Sequence, residues 1–335
     1  MDFLKDIVKE IGDEYTQLAK DIDETETYVD TGSFIFNGLV SGSIFGGVSR
    51  NKITAIAGES STGKTFFSLA VVKNFLDNNP SSYCLYFDTE ASITRALLES
   101  RGIDLERFVV INVVTIEDFR SKALKAVDKY LQMPEEDRKP CMFVLDSLGM
   151  LSTEKEITDA LDDKRVRDMT KSQLVKGAFR MLTLKLGQAD IPLIVTNHTY
   201  DVIGSYVPTK EMGGGSGLKY AASTIIYLSR KKEKEGKETV GNIIKAKTAK
   251  SRLSKENKEV EIRLYFDERG LDTYYGLLSL GEKYGVFKKV GNRYEIGEAK
   301  VYSKNVYENP EKYFTPEVMQ ALDECSQKEF SYGES

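Results

Sequence analysis

The middle of the chain alternates short apolar runs with longer amphipathic stretches. The runs have the length of buried strands, and the stretches repeat apolar residues every three or four positions. Near-continuous apolar strands separated by amphipathic helices are typical of a parallel sheet with helices on both faces. We therefore predict an α/β core with a mostly parallel sheet. The predicted strands are 53–57, 83–88, 108–114, 141–145 and 193–196, and the predicted helices are 66–75, 93–100, 116–131 and 170–188.

The pattern changes on both sides of this core. Residues 1–24 have apolar positions at helical spacing and predict an amphipathic helix, and a short strand-like piece follows at 26–31. A further helix is predicted at 277–284, and we expect the polar end after it to fray. Three strand-like runs joined by short turns predict antiparallel additions to the sheet edge. These runs are 223–228, 240–246 and 259–266.

Length and pattern together divide the chain into three predicted regions. At 335 residues it exceeds the usual single domain, so terminal additions to one large core are expected. Residues 1–33 form an N-terminal helix with a strand and linker, and 34–275 form the core. Residues 276–335 form a small C-terminal region.

A complete phosphate-binding loop lies between the first strand and the first helix of the core. Its glycines let backbone N–H groups close around phosphate oxygens, and the helix N-terminus adds a dipole that favours anions. Lys64 would reach the terminal phosphates and Thr65 would ligate Mg²⁺. The sequence therefore predicts binding of a nucleoside triphosphate. The loop residues are Gly58, Glu59, Ser60, Ser61, Thr62, Gly63, Lys64 and Thr65.

Net charge, cysteine content and the length of the apolar runs limit the classes of protein that this chain can belong to. The net charge of −5 gives no global signature of nucleic-acid binding, so any such site must be local. Cys84, Cys141 and Cys325 are far apart and are best interpreted as reduced, buried thiols. No apolar run approaches the roughly 18 residues of a membrane span, so we expect a cytoplasmic protein without a membrane partner.

Two further strands end in acidic residues that suit a nucleotide site. Asp146 ends an apolar strand and can hold Mg²⁺ through water. At the end of 83–88, Glu90 is our candidate for the base that hydrolysis needs, and Asp88 is its competitor. A carboxylate that merely caps the following helix is a plain alternative for either residue.

Other polar features lie near the same predicted edge. His198, the single histidine, follows a strand and could sense the γ-phosphate, although a lone histidine is usually structural. Residues 152–168 are polar, and 199–220 are rich in glycine without periodicity, so we expect a long mobile loop in the second stretch. Between Arg230 and Lys258, eleven Lys or Arg face four Glu. Such runs are mostly solvated, but this one makes a polyanion partner plausible.

Assembled in order, these residues resemble the RecA family of DNA recombinases, most closely its members from T-even-type phages. The resemblance covers roughly residues 26–285, and seven motifs in order carry it, since a phosphate loop alone would name no family. The motifs are 30–33, 58–65, 87–90, 144–149, 196–200, 213–217 and 250–252.

The resemblance implies a role for each part of the site. Glu90 would activate the attacking water, Asp146 would complete the Mg²⁺ site, and His198 would replace a glutamine that couples γ-phosphate to the DNA-binding loop. Residues 152–168 and 199–217 would correspond to two DNA-binding loops. The implied DNA-contacting residues are Arg165, Arg167, Lys171, Lys176, Arg180, Gly213, Gly214 and Gly215.

The resemblance also implies contacts between neighbouring copies. Lys250 and Arg252 are similar to paired cations that reach the ATP of the adjacent filament subunit, with Lys219 and Tyr220 at the same interface. The strand containing Tyr28 would add to a neighbour's sheet edge. Leu97 stands where relatives place a tyrosine that stacks on adenine, so looser base selectivity is expected.

The expected function is therefore that of an ATP- and Mg²⁺-dependent recombinase. It would form helical filaments on single-stranded DNA and pair that strand with homologous duplex DNA, with a single-stranded-DNA-binding protein and a mediator protein as further partners. The alternatives are a ring-forming helicase, a mediator that binds ATP but hardly hydrolyses it, and a small-molecule kinase. A kinase would need an arginine-bearing lid, and the glycine-rich stretch argues against it.

Overall fold

In a computed structural model, the described residues form a mixed sheet with helices on both faces. The structure describes residues 2–12, 16, 18–21, 27–162, 170–201, 210–213, 216–297 and 299–333. The strands are β1 (Tyr28–Val29), β2 (Val48–Ser49), β3 (Ile53–Gly58), β4 (Tyr83–Asp88), β5 (Phe108–Asn112), β6 (Cys141–Asp146), β7 (Leu193–Asp201), β8 (Lys210–Met212), β9 (Thr224–Glu235), β10 (Glu238–Ser251), β11 (Glu259–Tyr265), β12 (Lys288–Val290), β13 (Arg293–Ile296) and β14 (Ala299–Tyr302).

The helices cover this sheet and both termini. They are α1 (Asp2–Ile11), α2 (Phe34–Ser41), α3 (Lys64–Asn78), α4 (Arg95–Ser100), α5 (Ile116–Leu131), α6 (Glu154–Leu161), α7 (Lys171–Gln188), α8 (Ser216–Ala221), α9 (Leu277–Tyr284), α10 (Ser303–Glu308), α11 (Pro310–Tyr313) and α12 (Pro316–Phe330). No helix in the described ranges has both the length and the apolar character that crossing a membrane requires.

The main sheet has the strand order β11-β10-β9-β3-β7-β6-β4-β5, with β8 paired to β7. Neighbours from β9 to β5 are parallel, whereas β10 and β11 are antiparallel additions. The α/β class is thus confirmed. One detail is wrong, because β9 was expected to be antiparallel and instead pairs with β3 in parallel. The crossover through α8 returns the chain in the direction of β3.

Every residue of the central strands β3 and β6 is buried, and successive residues point to opposite faces of the sheet, so both faces are covered there. In β6, Met142 and Val144 belong to the core under α3, whereas Cys141, Phe143 and Leu145 belong to the core under α5 and α7. This explains the near-continuous apolar runs of the central strands. The three cysteines are buried and free of disulfides, as predicted.

The C-terminal region corrects one expectation. The predicted polar, fraying end instead contains α12, whose Leu322 and Phe330 are buried in the same core as α2 and α3. Helix α2 itself was not predicted, because Gly38 interrupts its apolar sequence. That glycine is needed, since a Cβ there would lie 2.4 Å from the Ser326 hydroxyl of α12.

The N-terminal prediction was too long. Helix α1 ends at Ile11, and Gly12 adopts a left-handed conformation with φ of 64°. Of the strand-like piece predicted at 26–31, only residues 28–29 form a strand, which pairs within this chain, where Tyr28 lies opposite Ser49. Its addition to a neighbour's sheet stays a prediction, as do the three proposed regions.

The parallel strands bring the ends of β3, β4, β6 and β7 to one edge of the sheet. The register places Gly58 beside His198 and Asp88 beside Asp146. In an open parallel sheet, ligands bind beyond the carboxyl ends of the strands. The residues predicted to act on a nucleotide therefore end at a single edge.

One charged group ties α12 to the core. Burial alone would raise the pKa of the Glu329 carboxyl, but hydrogen bonds from Lys258, Lys283 and Tyr284 outweigh it and lower this pKa to about 2 from the ordinary 4.5. A carboxyl whose native pKa is depressed stabilises the fold fully above its unfolded pKa. Its contribution is lost as the pH falls from 4.5 towards 2.

We predict that Glu329→Gln lowers the free energy of unfolding by about 1–3 kcal/mol at neutral pH, because a charge-assisted network loses its acceptor. Urea unfolding followed by circular dichroism measures it, with exposed Glu324→Gln on the same helix as control. The deficit should shrink as the pH falls below 4.5. A deficit that does not change with pH would contradict the assigned role.

Candidate nucleotide site and nucleic-acid interface

The phosphate loop has the backbone geometry that binding of phosphate requires. Gly63 precedes α3 with φ of 92°, a conformation that L side chains rarely adopt. At Gly58, an added Cβ would lie 2.8 Å from the Thr62 hydroxyl and 2.9 Å from the Leu228 carbonyl oxygen. Both glycines are therefore required by the fold of the loop. The loop then opens into a helix whose free N–H groups favour an anion.

Lys64 is the first residue of α3 and is buried. Its ammonium donates to the carbonyl oxygens of Gly58 at 3.0 Å and Glu59 at 2.8 Å. Burial lowers the pKa of Lys64, and the charges of Asp146 and Glu90 partly offset that shift. A triphosphate would supply stronger hydrogen-bond acceptors than these neutral carbonyls. We therefore expect the ammonium to leave the carbonyls and bind the phosphate oxygens when a nucleotide is present.

Asp146 gathers hydroxyl groups from three neighbouring elements. Its Oδ2 accepts from Thr65 at 2.6 Å and from Tyr86 at 2.7 Å, and its Oδ1 accepts a short hydrogen bond from Thr196. The carboxylate is almost fully buried. The Thr65 hydroxyl and the Asp146 carboxylate are hard oxygen donors in direct contact, which is the donor chemistry that Mg²⁺ prefers. These residues fit the predicted metal.

The carboxylates of Glu90 and Asp88 lie in different environments. Both carboxylate oxygens of Asp88 accept backbone N–H groups, from Glu90 and from Ile93, each at 3.0 Å. Asp88 is buried and fixes the turn after β4. Glu90 is partly exposed, and its Oε1 accepts from the Ser147 hydroxyl at 3.0 Å. The geometry favours Glu90 as the carboxylate that meets a water molecule.

His198 lies between Lys64 and Glu90. Its Nδ1 is 3.5 Å from the Lys64 amine, and its Nε2 is 3.4 Å from Glu90 Oε1. An ammonium only donates and a carboxylate only accepts, so these contacts suit the neutral tautomer with the proton on Nε2. The histidine therefore links the lysine of the phosphate loop to the candidate base.

Sequence reasoning missed two partners of Asp146, namely Tyr86 and Thr196. Tyr86 has no exposed surface, and burial together with Asp146 raises the pKa of its phenol well above the ordinary value. A polar hydroxyl inside an otherwise apolar strand normally has a buried partner, which was the available signal. The identity of that partner depends on the strand register, which the sequence does not reveal.

The predicted glycine-rich loop is partly a hairpin. Strand β7 continues through His198 to Asp201, and β8 returns beside it, with Tyr200 opposite Glu211. Asn197 donates to the Gly213 carbonyl at 2.8 Å, and the Gly213 N–H donates to the His198 carbonyl at 3.0 Å. Residues 202–209, Gly214 and Gly215 lie outside the described residues. Gly213 is therefore bonded directly to the strand that carries His198.

The first predicted DNA-binding loop contains α6. Thr153 and Glu156 form a reciprocal cap at its start, in which each side chain accepts from the other's backbone N–H. Lys171 at the start of α7 forms an ion pair with Glu156 at 3.5 Å. Arg165 and Arg167 lie outside the described residues, so their predicted DNA contacts stay predictions.

A cleft of about 670 Å³ joins the predicted DNA-binding and interface residues. Lys176 and Arg180 are exposed one helical turn apart on α7 and line this cleft together with Tyr220 and Arg252. Tyr220 is 69% exposed. Cations and an exposed aromatic ring in one cleft suit a polyanion with stacking bases.

The basic run between Arg230 and Lys258 is less basic in three dimensions than along the sequence. Glutamates from β11 and α12 pair with its lysines, in the ion pairs Lys231–Glu261, Lys245–Glu259 and Lys258–Glu329. These acids lie beyond the counted run, so a linear count misses them. The run consequently gives weaker support to a polyanion surface than α7 does.

A protein-family comparison identifies the fold and family. Residues 2–272 match the family model described as the RecA N-terminal domain, which is most of the chain. The chain belongs to the RecA family. Among curated relatives of this RecA-family chain, the "Recombination and repair protein" of Enterobacteria phage T4 is 34% identical over 258 residues. That alignment covers 77% of this chain and 64% of the T4 protein.

Bacterial relatives agree with that assignment. "Protein RecA" of Thermus aquaticus is 27% identical over 299 residues, which cover 88% of this chain and 83% of the relative. "Protein RecA" of Deinococcus radiodurans is 27% identical over 259 residues, covering 76% of this chain and 68% of the relative. The resemblance deduced from the motifs is thus confirmed at the level of the family.

We predict that Lys64→Ala lowers nucleotide affinity at least about 100-fold, because two charge-assisted hydrogen bonds to phosphate would be lost. Isothermal titration calorimetry with ATP and Mg²⁺ measures the affinity. Lys73→Ala is the control, since Lys73 lies on the same helix and pairs with Asp77 instead. Ordinary affinity in Lys64→Ala would refute the assignment of the loop.

Proposed function

We propose that this protein is an ATP-dependent DNA recombinase, which forms helical filaments on single-stranded DNA and catalyses homologous pairing and strand exchange. The observation that carries the proposal is the cleft that unites Lys176 and Arg180 with Tyr220 and Arg252. One copy's DNA-facing cations and its interface residues would share this surface. The name of the T4 relative, a recombination and repair protein, supports the same conclusion.

Nucleotide hydrolysis would use the residues at the sheet edge. Thr65 and Asp146 would hold Mg²⁺, and Lys64 would hold the terminal phosphates, so bound Mg²⁺ would neutralise developing charge. Glu90, with its carboxylate oriented by Ser147 and His198, would accept a proton from the attacking water. Strand exchange itself needs no covalent chemistry on DNA, so binding energy would drive it.

The β7–β8 hairpin supports a link between the phosphates and DNA. His198 lies beside Lys64, and its carbonyl is bonded to Gly213 at the start of the glycine run. A shift of His198 in response to nucleotide would therefore move the segment that we propose to contact DNA. Lys250 and Arg252 would contact the ATP bound to a neighbouring copy. ATP would then stabilise the interface between copies and hence the filament.

The partners follow from this function. They would be single-stranded DNA, homologous duplex DNA and further copies of the chain, with a single-stranded-DNA-binding protein and a mediator protein as accessory partners. The protein would act where the DNA is, in the cytoplasm of a bacterial host if a phage encodes it. Leu97 is half-buried against the core, so a looser base preference remains part of the proposal.

The function is tested by the rate of ATP hydrolysis with and without single-stranded DNA. We expect strong stimulation by single-stranded DNA and less by duplex DNA. Heparin at the same charge concentration is the control. If the protein responds to any polyanion, heparin and single-stranded DNA will both stimulate hydrolysis. No effect of DNA would contradict the proposal and favour a small-molecule kinase.

We predict that Glu90→Gln lowers the rate of hydrolysis about 10²–10⁴-fold while ATP binding and filaments persist, because only the proton acceptor is lost. Phosphate release under saturating ATP and DNA measures the rate. Asp88→Asn is the companion variant, expected to lower the melting temperature because it weakens the turn after β4. An unchanged rate in Glu90→Gln would transfer the role to Asp88.

We predict that Lys250→Ala combined with Arg252→Ala weakens ATP-stabilised assembly, because two cations at the shared nucleotide would be lost. Filament length on single-stranded DNA, measured by electron microscopy, reports the effect. Lys247→Ala is the control, being an exposed lysine on the same strand. Undiminished filament length in the double variant would count against the interface.

A further inference from the structure

The side chain of Lys250 caps the C-terminal end of α8. Its ammonium donates to three backbone carbonyl oxygens, those of Lys219 at 2.7 Å, Ala222 at 2.8 Å and Tyr220 at 3.3 Å. The last carbonyls of a helix have no intrahelical partner, and a cation there also suits the helix dipole. Lys250 therefore stabilises α8 from a different element of the fold.

The shape of β10 aims Lys250 at this helix. Thr248 lies opposite Ile226 and Lys250 lies opposite Ile225, so Ala249 is an extra residue in the pairing. A bulge of this kind bends a strand and redirects the following side chain. Arg252, two residues further on, keeps an exposed side chain. Lys250 is therefore held by the end of α8, whereas the side chain of Arg252 faces solvent.

The capping contact uses all the hydrogens of the ammonium. A lysine has three N–H donors and no acceptor, and here three carbonyls receive them. Lys250 can bind a phosphate oxygen only by giving up at least one of these carbonyls. A phosphate is the stronger acceptor because it is charged, so the exchange is favourable once a phosphate arrives.

Helix α8 is attached to both predicted DNA-binding regions. A Cβ on Gly217 would lie 2.7 Å from the backbone nitrogen of Lys176, so α8 lies directly against α7. Lys219 forms an ion pair with Glu211 of β8 at 3.6 Å, and β8 pairs with the strand that carries His198. Helix α8 is therefore in contact with both α7 and the β7–β8 hairpin.

We propose that Lys250 is a positioning residue that holds α8 in the free protein and releases it when its ammonium binds a phosphate presented by a neighbouring copy. The second half of this proposal rests on the proposed function, in which nucleotide lies between copies. Release of the α8 carbonyls would be the step that connects nucleotide at the interface to the Gly213 segment. Arg252 would bind phosphate without disturbing α8.

The first half of the proposal, the capping half, is that Lys250 stabilises α8 in the free protein. Hydrogen–deuterium exchange of the α8 backbone tests it. Without nucleotide or DNA, we expect Lys250→Ala to speed exchange of the amides at 220–222 about fivefold or more, since the capped turn loses hydrogen bonds. Arg252→Ala, the matched control, should leave that exchange unchanged. Lys250→Arg should restore protection, because a guanidinium can donate to the same carbonyls. Equal exchange in Lys250→Ala and the parent would overturn the proposal.

The second half of the proposal, the switching half, is that Lys250 releases α8 when it binds a phosphate. It is tested by comparing the exchange of Lys250→Ala and the parent inside the filament. Isotope-labelled Lys250→Ala is copolymerised with a large excess of unlabelled parent on single-stranded DNA with a non-hydrolysable ATP analogue. Labelled parent in the same excess provides the reference, so burial by neighbours cancels. We expect the difference at 220–222 to disappear in the filament. A difference of the same size in both states would make Lys250 a static cap and overturn the switch.

Failure of the proposed function is distinguishable from failure of this inference. If no assembly forms with the ATP analogue and DNA, the proposed function and the switching half are both refuted. The capping half is decided in the free protein alone. A filament that forms normally while the difference persists would refute the switch and leave the recombinase function standing.

Discussion

The buried carboxylate of Asp146 holds the candidate nucleotide site together. It accepts hydroxyl groups from Thr65 at the start of α3, Tyr86 in β4 and Thr196 in β7. A buried charge is costly unless hydrogen bonds satisfy it, so these hydroxyls are constrained to their positions. The phosphate loop and two strands are consequently fixed relative to β6. Everything proposed for Lys64, Glu90 and His198 depends on that arrangement.

Much of the core could be predicted from hydrophobic periodicity, because its strands are buried on both faces and its helices are long. Helices α5 and α9 have the predicted bounds, and the residues of the site end at one sheet edge as expected. The docking of the polar C-terminus was not predicted, because besides the buried Leu322 and Phe330 it uses a close approach at Gly38 and hydrogen bonds such as Ser326 to Gly42. Small and polar contacts of this kind leave little trace in a hydrophobic pattern.

The residues of the candidate site could be proposed from their types, but their contacts could not. Residue type alone pointed to Asp146 and His198 but left Glu90 and Asp88 in competition, since both lie at the end of the same strand. That distinction arises from the backbone N–H groups that Asp88 accepts in its turn. The partners of Lys250 were equally hidden, because a bulge in β10 and the end of a distant helix determine them. The contacts between site residues therefore depend on cross-strand register and local turns, which the sequence pattern does not reveal.

The central claim is that ATP assembles this chain into an open helical filament on single-stranded DNA. Electron microscopy of the protein with single-stranded DNA and a non-hydrolysable ATP analogue tests it most directly. We expect long helical filaments that require both the analogue and the DNA. Closed rings under the same conditions would contradict it and indicate a helicase built on the same core.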